Sequence, residues 1–522
     1  MSRLAKALAA VSACALALAG CSTDSSRDSD NGGDGGGDAA VVSVSGGSVR
    51  GTVHSDYRVF KGIPYAAAPV GALRWQPPEP APPWDGIREA SRAGAQCPQP
   101  EEFLPGFVSP LPQSEDCLSV NIWAPSDEAD RPRPVLVWIH GGGNLGGNAD
   151  LYDAQRLVTQ GDVVVVTLNY RLGALGWLAD PALAADGKAG NYGALDQQAA
   201  LRWVRDNIAA FGGDPAKVTV GGESAGALGV CTQLAAPGSD GLFRAAIIQS
   251  APCSSALSTT PERSRAFAVA AGCADPAAAA DCLRRLPVDT LLKTPTPPDG
   301  PVAGGPGLPV APAEALANGA GDRRPVLIGD NTHEGTFFTA LQPPVTTDEE
   351  YARTLDTTFP DTADRLRQAY PVSEYGGDPS LALSAVIGDS LFSCSSEHTI
   401  DSLRDNGSPV YQYEFADTTA PAPEDMPDTS FPLGASHTLE LRYLFDINGI
   451  GPLTPAQQRL ADQMVRYWAQ FIHTGDPATP GQTAWPPRRT DTPTRLALRP
   501  DGPHVTTDPG RNHHCDLWPE RR

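Results

Sequence analysis

The sequence predicts an α/β fold, a large mixed and mostly parallel central sheet flanked by helices, on three observations. Continuous apolar runs at 135–139 and 163–168 read as strands covered on both faces. Leu201, Val204, Ile208 and Phe211 then recur at helical spacing, so a helix follows the second run. Further short apolar segments at 217–221, 245–249 and 326–329 keep that alternation going, and alternating strands and helices build a parallel sheet. Ahead of these, residues 41–53 alternate apolar and polar around Gly46-Gly47, the pattern of an N-terminal hairpin. The Pro- and Gly-rich stretch 294–312 reads as a surface loop, and no repeat or second linker interrupts 41–522, which is expected to form one domain.

A chain of 522 residues, 41% hydrophobic and 19% charged, has ample material for a large core. Its formal net charge of -22 argues against nucleic acid as a partner, since phosphate binding needs a basic face. The same charge disfavours adhesion of the protein surface to anionic lipid. Residues 1–20 form a targeting segment: Arg3 and Lys6 precede a short apolar run, 7–20, that is too short to span a bilayer. The run ends Leu18-Ala19-Gly20-Cys21, which resembles the lipobox of bacterial lipoproteins and implies a lipid anchor on Cys21. An ordinary export signal cleaved nearby is the alternative. Residues 21–40 are dominated by Ser, Asp and Gly, with no apolar residue in 22–38, and are expected to be a disordered tether.

Two motifs carry chemistry. Gly222-Glu223-Ser224-Ala225-Gly226 fits G-x-S-x-G between a predicted strand and a helix expected to begin at Ala225. A serine at such a turn is lifted clear of the backbone, and the helix N-terminus behind it offers unpaired N–H groups to an oxyanion. His140-Gly141-Gly142-Gly143 directly follows the strand at 135–139, where consecutive glycines let backbone amides approach a ligand. Gly142, Gly143 and Ala225 are therefore the candidate oxyanion donors, each typically worth about 2.7–4 kcal/mol of transition-state stabilisation.

From about Val41 to the C-terminus the chain resembles the type B carboxylesterases, the family that includes the cholinesterases. The stretch 211–226 matches that family's serine signature throughout. The stretch 115–125 matches its second signature, with Ser119 where the family usually has an aromatic residue or Thr. The resemblance implies an α/β-hydrolase fold and a Ser-His-Glu triad, with no cofactor and no metal.

Chain order places the acid and then the histidine after Ser224. Glu334 and Asp330 both lie just past the strand at 326–328, and local physics does not separate them; the resemblance favours Glu334, which precedes a Gly. For the base, His398, His437, His473, His504, His513 and His514 all follow the acid. His437, in Gly434-Ala435-Ser436-His437-Thr438-Leu439-Glu440, resembles the family's histidine segment, with a Glu three positions on. Resemblance also makes Glu223 a buried carboxylate shaping the site, and Ser250 a hydrogen-bond partner of the acid. An unperturbed imidazole would make activity rise near pH ~6.5, since only neutral histidine is a base.

Of ten cysteines, Cys14 and Cys21 lie in the leader, and an even eight in an exported chain reads as disulfides. No pair has zinc-type CxxC spacing. By resemblance the bridges are Cys97–Cys117, Cys273–Cys282 and Cys394–Cys515, which leaves Cys231 with Cys253. Arg74 with Glu115 and Arg171 with Asp196 are implied ion pairs. The loop 98–116 has no Trp where the family's choline-binding Trp lies, so choline esters are disfavoured. Asn144 stands where an aromatic residue is common, which implies a more open or more polar acyl side. The expected substrate is a small-molecule ester, hydrolysed outside the cytoplasm, with no obligate protein partner. A non-catalytic binding protein and an amide or thioester hydrolase are the rival functions.

Overall fold

The structure is a computed structural model that describes residues 40–518, apart from 102–104, 106–108, 128–129, 255–258, 322 and 508–512. The leader, the Cys21 anchor and nearly all of the tether lie outside the described residues. Among the described residues, fourteen strands form two sheets. A small sheet joins β1 (Val41–Val44), β2 (Gly47–Arg50) and β5 (Ile87–Glu89). The large sheet has eleven strands. In chain order they are β3 (Thr52–Val53), β4 (Tyr57–Pro64), β6 (Ser119–Pro125), β7 (Arg133–Ile139) and β8 (Val164–Leu168). Then come β9 (Gly213–Glu223), β10 (Ala245–Gln249), β11 (Val326–Asn331), β12 (Val410–Phe415), β13 (Arg495–Leu498) and β14 (His504–Thr506).

Their spatial order is β14-β13-β12-β11-β10-β9-β7-β8-β6-β4-β3. From β8 through β13 every neighbouring pair is parallel, and the antiparallel pairs lie at the two edges. The hairpin expected over 41–53 closes earlier: β1 and β2 pair, the chain breaks at Gly51, and β3 joins the large sheet. Gly51 is the breakpoint because a Cβ there would lie 2.4 Å from Val59 O and 2.5 Å from the Phe60 ring.

Both faces of the sheet are covered, which is why its strands are apolar without alternation. On β7, Val135, Val137 and Ile139 join one core with Leu201 and Val204 of α1 (Tyr192–Asn207) and Val230 of α2 (Ala225–Ala235). Leu136 and Trp138 point the other way, into a second core. There they meet Leu460, Met464 and Trp468 of the long helix Pro455–Thr474. That helix begins at a capping box, Thr454 with Gln457, and ends at Gly475 with φ 81°. The helical spacing read through Phe211 runs past α1 into a short 3₁₀ turn, Ile208–Phe211.

The parallel register decides where the site lies. Ile139 pairs with Gly222, Glu223 with Gln249, and Gln249 with Gly329. The carboxyl ends of β7, β9, β10 and β11 therefore stand in one row, the edge where open α/β sheets bind ligands. Four disulfides, Cys97–Cys117, Cys231–Cys253, Cys273–Cys282 and Cys394–Cys515, close loops around this frame. Arg74 pairs with Glu115 at 2.5 Å and Arg171 with Asp196 at 2.7 Å. Among the described residues no helix is long and apolar enough to cross a membrane.

Candidate active site

Ser224 sits between the end of β9 and the start of α2 with φ 54° and ψ -124°, a conformation a non-glycine residue holds only under strain. Its N–H donates to Gln249 O at 2.9 Å, so the neighbouring strand pins the turn. The flanking glycines are steric necessities. A Cβ on Gly226 would lie 2.0 Å from Ile139 O, and one on Gly222 would lie 2.5 Å from the Gly226 backbone. Ser224 is only partly buried, whereas Glu223 beside it is fully buried.

The structure brings Ser224, His437 and Glu334 together from three distant segments. Ser224 Oγ lies 2.9 Å from His437 Nε2, and His437 Nδ1 lies 2.6 Å from Glu334 Oε2. With Nδ1–H donating to the carboxylate, Nε2 is left to accept the serine proton. Glu334 opens α3 (Glu334–Ala340), just past β11, and its other oxygen accepts the Asn331 N–H at 2.6 Å. Asp330, the rival acid, is turned away and accepts from Ser396 Oγ at 2.9 Å. Burial, with the Glu334 charge nearby, pushes Asp330 up to about 8.

The remaining histidines lie elsewhere. His398 is on α4 (Cys394–Asp405) and contacts Trp518 O; His473 is on α5, the helix Pro455–Thr474, and contacts Gly161 O. His504 is on β14, and His514 has φ 47° in the C-terminal turn. His513 is buried between Asp389, at 2.6 Å, and Glu414, at 3.0 Å.

The loop after β7 crosses the nucleophile directly: a Cβ on Gly141 would lie 3.4 Å from Ser224 Cβ. Gly142 and Gly143 take φ of 102° and 59°, and the N–H groups of Leu145 and Gly146 close the turn on Gly142 O. Gly142 and Gly143 donate their own N–H groups to no described residue. Ala225 is the first residue of α2, so its N–H has no intrahelical acceptor. His140 stacks on Tyr170 at 4.4 Å, and burial lowers it to about 4, so the ring is neutral packing beneath the loop. Asn144 follows the triple glycine. It is 3% exposed, and its Nδ2 donates to Asp299 O at 3.0 Å.

Around His437 the structure gathers carboxyl groups whose linkage the sequence did not reveal. Glu440 Oε2 accepts from Asn331 Nδ2 at 2.6 Å, and Glu440 Oε1 accepts from Gln249 Nε2 at 3.1 Å. Trp468 Nε1 in turn donates to Gln249 Oε1 at 2.9 Å. Burial and the Glu334 charge raise Glu440 to about 7. Glu223 Oε1 lies 3.3 Å from His437 Nε2, and burial lifts Glu223 well above the usual carboxylate range. Ser250 departs from expectation. Its hydroxyl is buried without a partner among the described residues, because Glu334 accepts from Asn331 and His437 instead. Phe338 and Phe392 stack at 5.5 Å, and each ring lies 5.0 Å from His437. No group of three or more His, Cys, Asp or Glu among the described residues is arranged to hold a metal ion.

A strand-end serine turn on a mostly parallel sheet, flanked by helices, defines an α/β-hydrolase. The comparisons narrow the class. The chain belongs to the carboxylesterase family, whose model it matches over residues 38–518, and it is a carboxylic ester hydrolase. It is 37% identical to the fumonisin B1 esterase of Sphingopyxis macrogoltabida over 84% of this chain and 83% of that protein. It is 33% identical to the para-nitrobenzyl esterase of Bacillus subtilis (strain 168) over 92% of this chain and 99% of that protein. A solved thermophilic PNB esterase superposes with a TM-score of 0.79 at 31% identity, covering 92% and 99% of the two chains.

Burial pulls the His437 pKa down, but Glu223, Glu334 and Glu440 outweigh it and raise it from 6.5 to about 9. A raised pKa keeps the ring protonated to higher pH, and only the neutral ring is a base. The rise in kcat/KM with pH should therefore have its midpoint above 6.5 and no higher than about 9. A midpoint at or below 6.5 contradicts this electrostatic account.

Proposed function

We propose that the chain hydrolyses small-molecule carboxylic esters through an acyl-enzyme on Ser224. Ser224 Oγ bonds to the ester carbonyl carbon as His437 Nε2 takes the hydroxyl proton, and Glu334 steadies the imidazolium. The carbonyl oxygen becomes an oxyanion held by the amides of Gly142, Gly143 and Ala225. Collapse expels the alcohol oxygen with the proton from His437. Water then repeats the sequence on the acyl-enzyme, releasing the acid and restoring Ser224. The observation that carries this reading is the unbroken line of Ser224 Oγ to His437 Nε2 at 2.9 Å and His437 Nδ1 to Glu334 at 2.6 Å.

Apolar, aryl-bearing esters fit the aromatic wall of Phe338 and Phe392 beside His437. Relatives named for para-nitrobenzyl esters, phenmedipham and pyrethroids agree with bulky, non-choline substrates. Replacing Ser224 with Ala should lower kcat on p-nitrophenyl butyrate by a factor on the order of 10⁵–10⁶. A fluorophosphonate probe should label the wild type and not the variant. Retained turnover in Ser224→Ala, or an unlabelled wild type, rejects the reading.

The site of action proposed is outside the cytoplasm, with a diacylglyceryl anchor on Cys21 and residues 21–40 as tether. The Leu18-Ala19-Gly20-Cys21 run and the four disulfides support it. Cys21→Ser should move the enzyme from the membrane pellet to the soluble fraction and abolish labelling with radioactive palmitate. An unchanged distribution removes the anchor from the account.

A further inference from the structure

We propose that His333 positions the catalytic histidine, its ring serving as the template on which the loop carrying His437 is laid. The inference rests on the reading of His437 as general base. Between β12 and the short 3₁₀ turn Leu439–Tyr443, the chain forms no helix and no ladder strand, only isolated bridges. Something outside that loop must therefore fix where His437 stands.

The segment after β11 does so. His333 N–H donates to Ala435 O at 2.9 Å, and Ala435 N–H donates back to His333 Nδ1 at 3.1 Å. The backbones of residues 333 and 436 pair as a parallel bridge, and the imidazole bond adds a side-chain anchor beside it. Thus Glu334 and His437 are each the next residue along from a bridged pair. Gly434 has φ 66°, and a Cβ there would lie 2.5 Å from His333 Nδ1. The imidazole occupies the space a side chain at 434 would need. Asn331 Nδ2 to Ser436 O at 2.6 Å, and Thr336 Oγ1 to Leu433 O at 2.8 Å, grip the same loop on either side.

The chemistry asks for a particular imidazole state. Nδ1 must accept, so the ring is neutral with its proton on Nε2. Protonation would set an Nδ1–H against the Ala435 N–H, two donors facing each other, and break that side-chain anchor two residues from His437. Burial lowers the His333 pKa; Glu414 on β12 raises it, His513 in the C-terminal turn lowers it, and Asp389 in the turn Asp389–Ser393 raises it. Burial is the largest of these and keeps the acceptor form at neutral pH. Glu334 flanks the ring along its own segment.

The test compares wild type with His333→Leu, which cannot accept, and His333→Asn, whose Oδ1 can occupy the place of Nδ1. On p-nitrophenyl butyrate at pH 8, His333→Leu should lose kcat by roughly 10- to 100-fold, the scale of a misplaced catalytic group. Its KM should stay within about twofold, because substrate binding is not touched. His333→Asn should recover most of that kcat. Full kcat in His333→Leu, or an equal loss in both variants, overturns the proposal. Should His333→Leu fail to fold, His333→Asn decides alone: a kcat within roughly threefold of wild type with KM unchanged supports the template, and a loss of roughly 10-fold or more overturns it. Failure here, with Ser224 still required for turnover, leaves the triad standing; loss of the Ser224 requirement is a separate result.

Discussion

The register of the parallel ladder at the carboxyl edge of the sheet is the constraint on which the rest depends. β7, β9 and β10 end level, so the glycine loop, Ser224 and Gln249 emerge side by side. The fit is tight enough to fix sequence. Gly226 has no room for a Cβ beneath Ile139 O, so the helix behind the serine lies directly against the end of β7. A shift of one residue in either strand would carry the glycine loop away from Ser224 and also flip its side chains across the sheet.

On that frame the site concentrates acid around one imidazole. Glu223, Glu334 and Glu440 are all buried, and like charges so close cannot all ionise in a low-dielectric interior. The three differ in their hydrogen bonds. Glu334 accepts from His437 and Asn331. Glu223 has no hydrogen-bond donor among the described residues, and burial favours its neutral form. Glu440 lies between them, raised by burial but held by Asn331 and Gln249. The histidine is therefore more basic than a solvated one, because Glu223, Glu334 and Glu440 together outweigh its burial.

The parts of this site that are local in sequence were legible there. The serine turn and the triple glycine each sit within a few residues of a strand that ends at the cleft. The choice between Asp330 and Glu334 was not local. Asp330 lies near the end of β11 and Glu334 just past it, where the start of α3 turns Glu334 inward while Asp330 faces Ser396. His437 was one of six histidines that follow the acid, and its loop is held by contacts with residues about a hundred positions earlier. The linkage of Trp468, Gln249 and Glu440 spans separations of 219 and 191 residues, which no spacing pattern encodes. Ser250 misled because a role carried over by resemblance does not say where this hydroxyl points. The raised histidine pKa was missed because it is a sum over neighbours that only folding assembles.

The central claim is that one row of strand ends aims an attacking oxygen at a carbonyl carbon and three backbone amides at that carbonyl's oxygen. A crystal structure of the enzyme trapped by a phosphonate ester tests it most directly. The account predicts phosphorus bonded to Ser224 Oγ and its phosphoryl oxygen about 3 Å from the amide nitrogens of Gly142, Gly143 and Ala225. A phosphoryl oxygen turned to solvent, or phosphorus attached to any other residue, contradicts it.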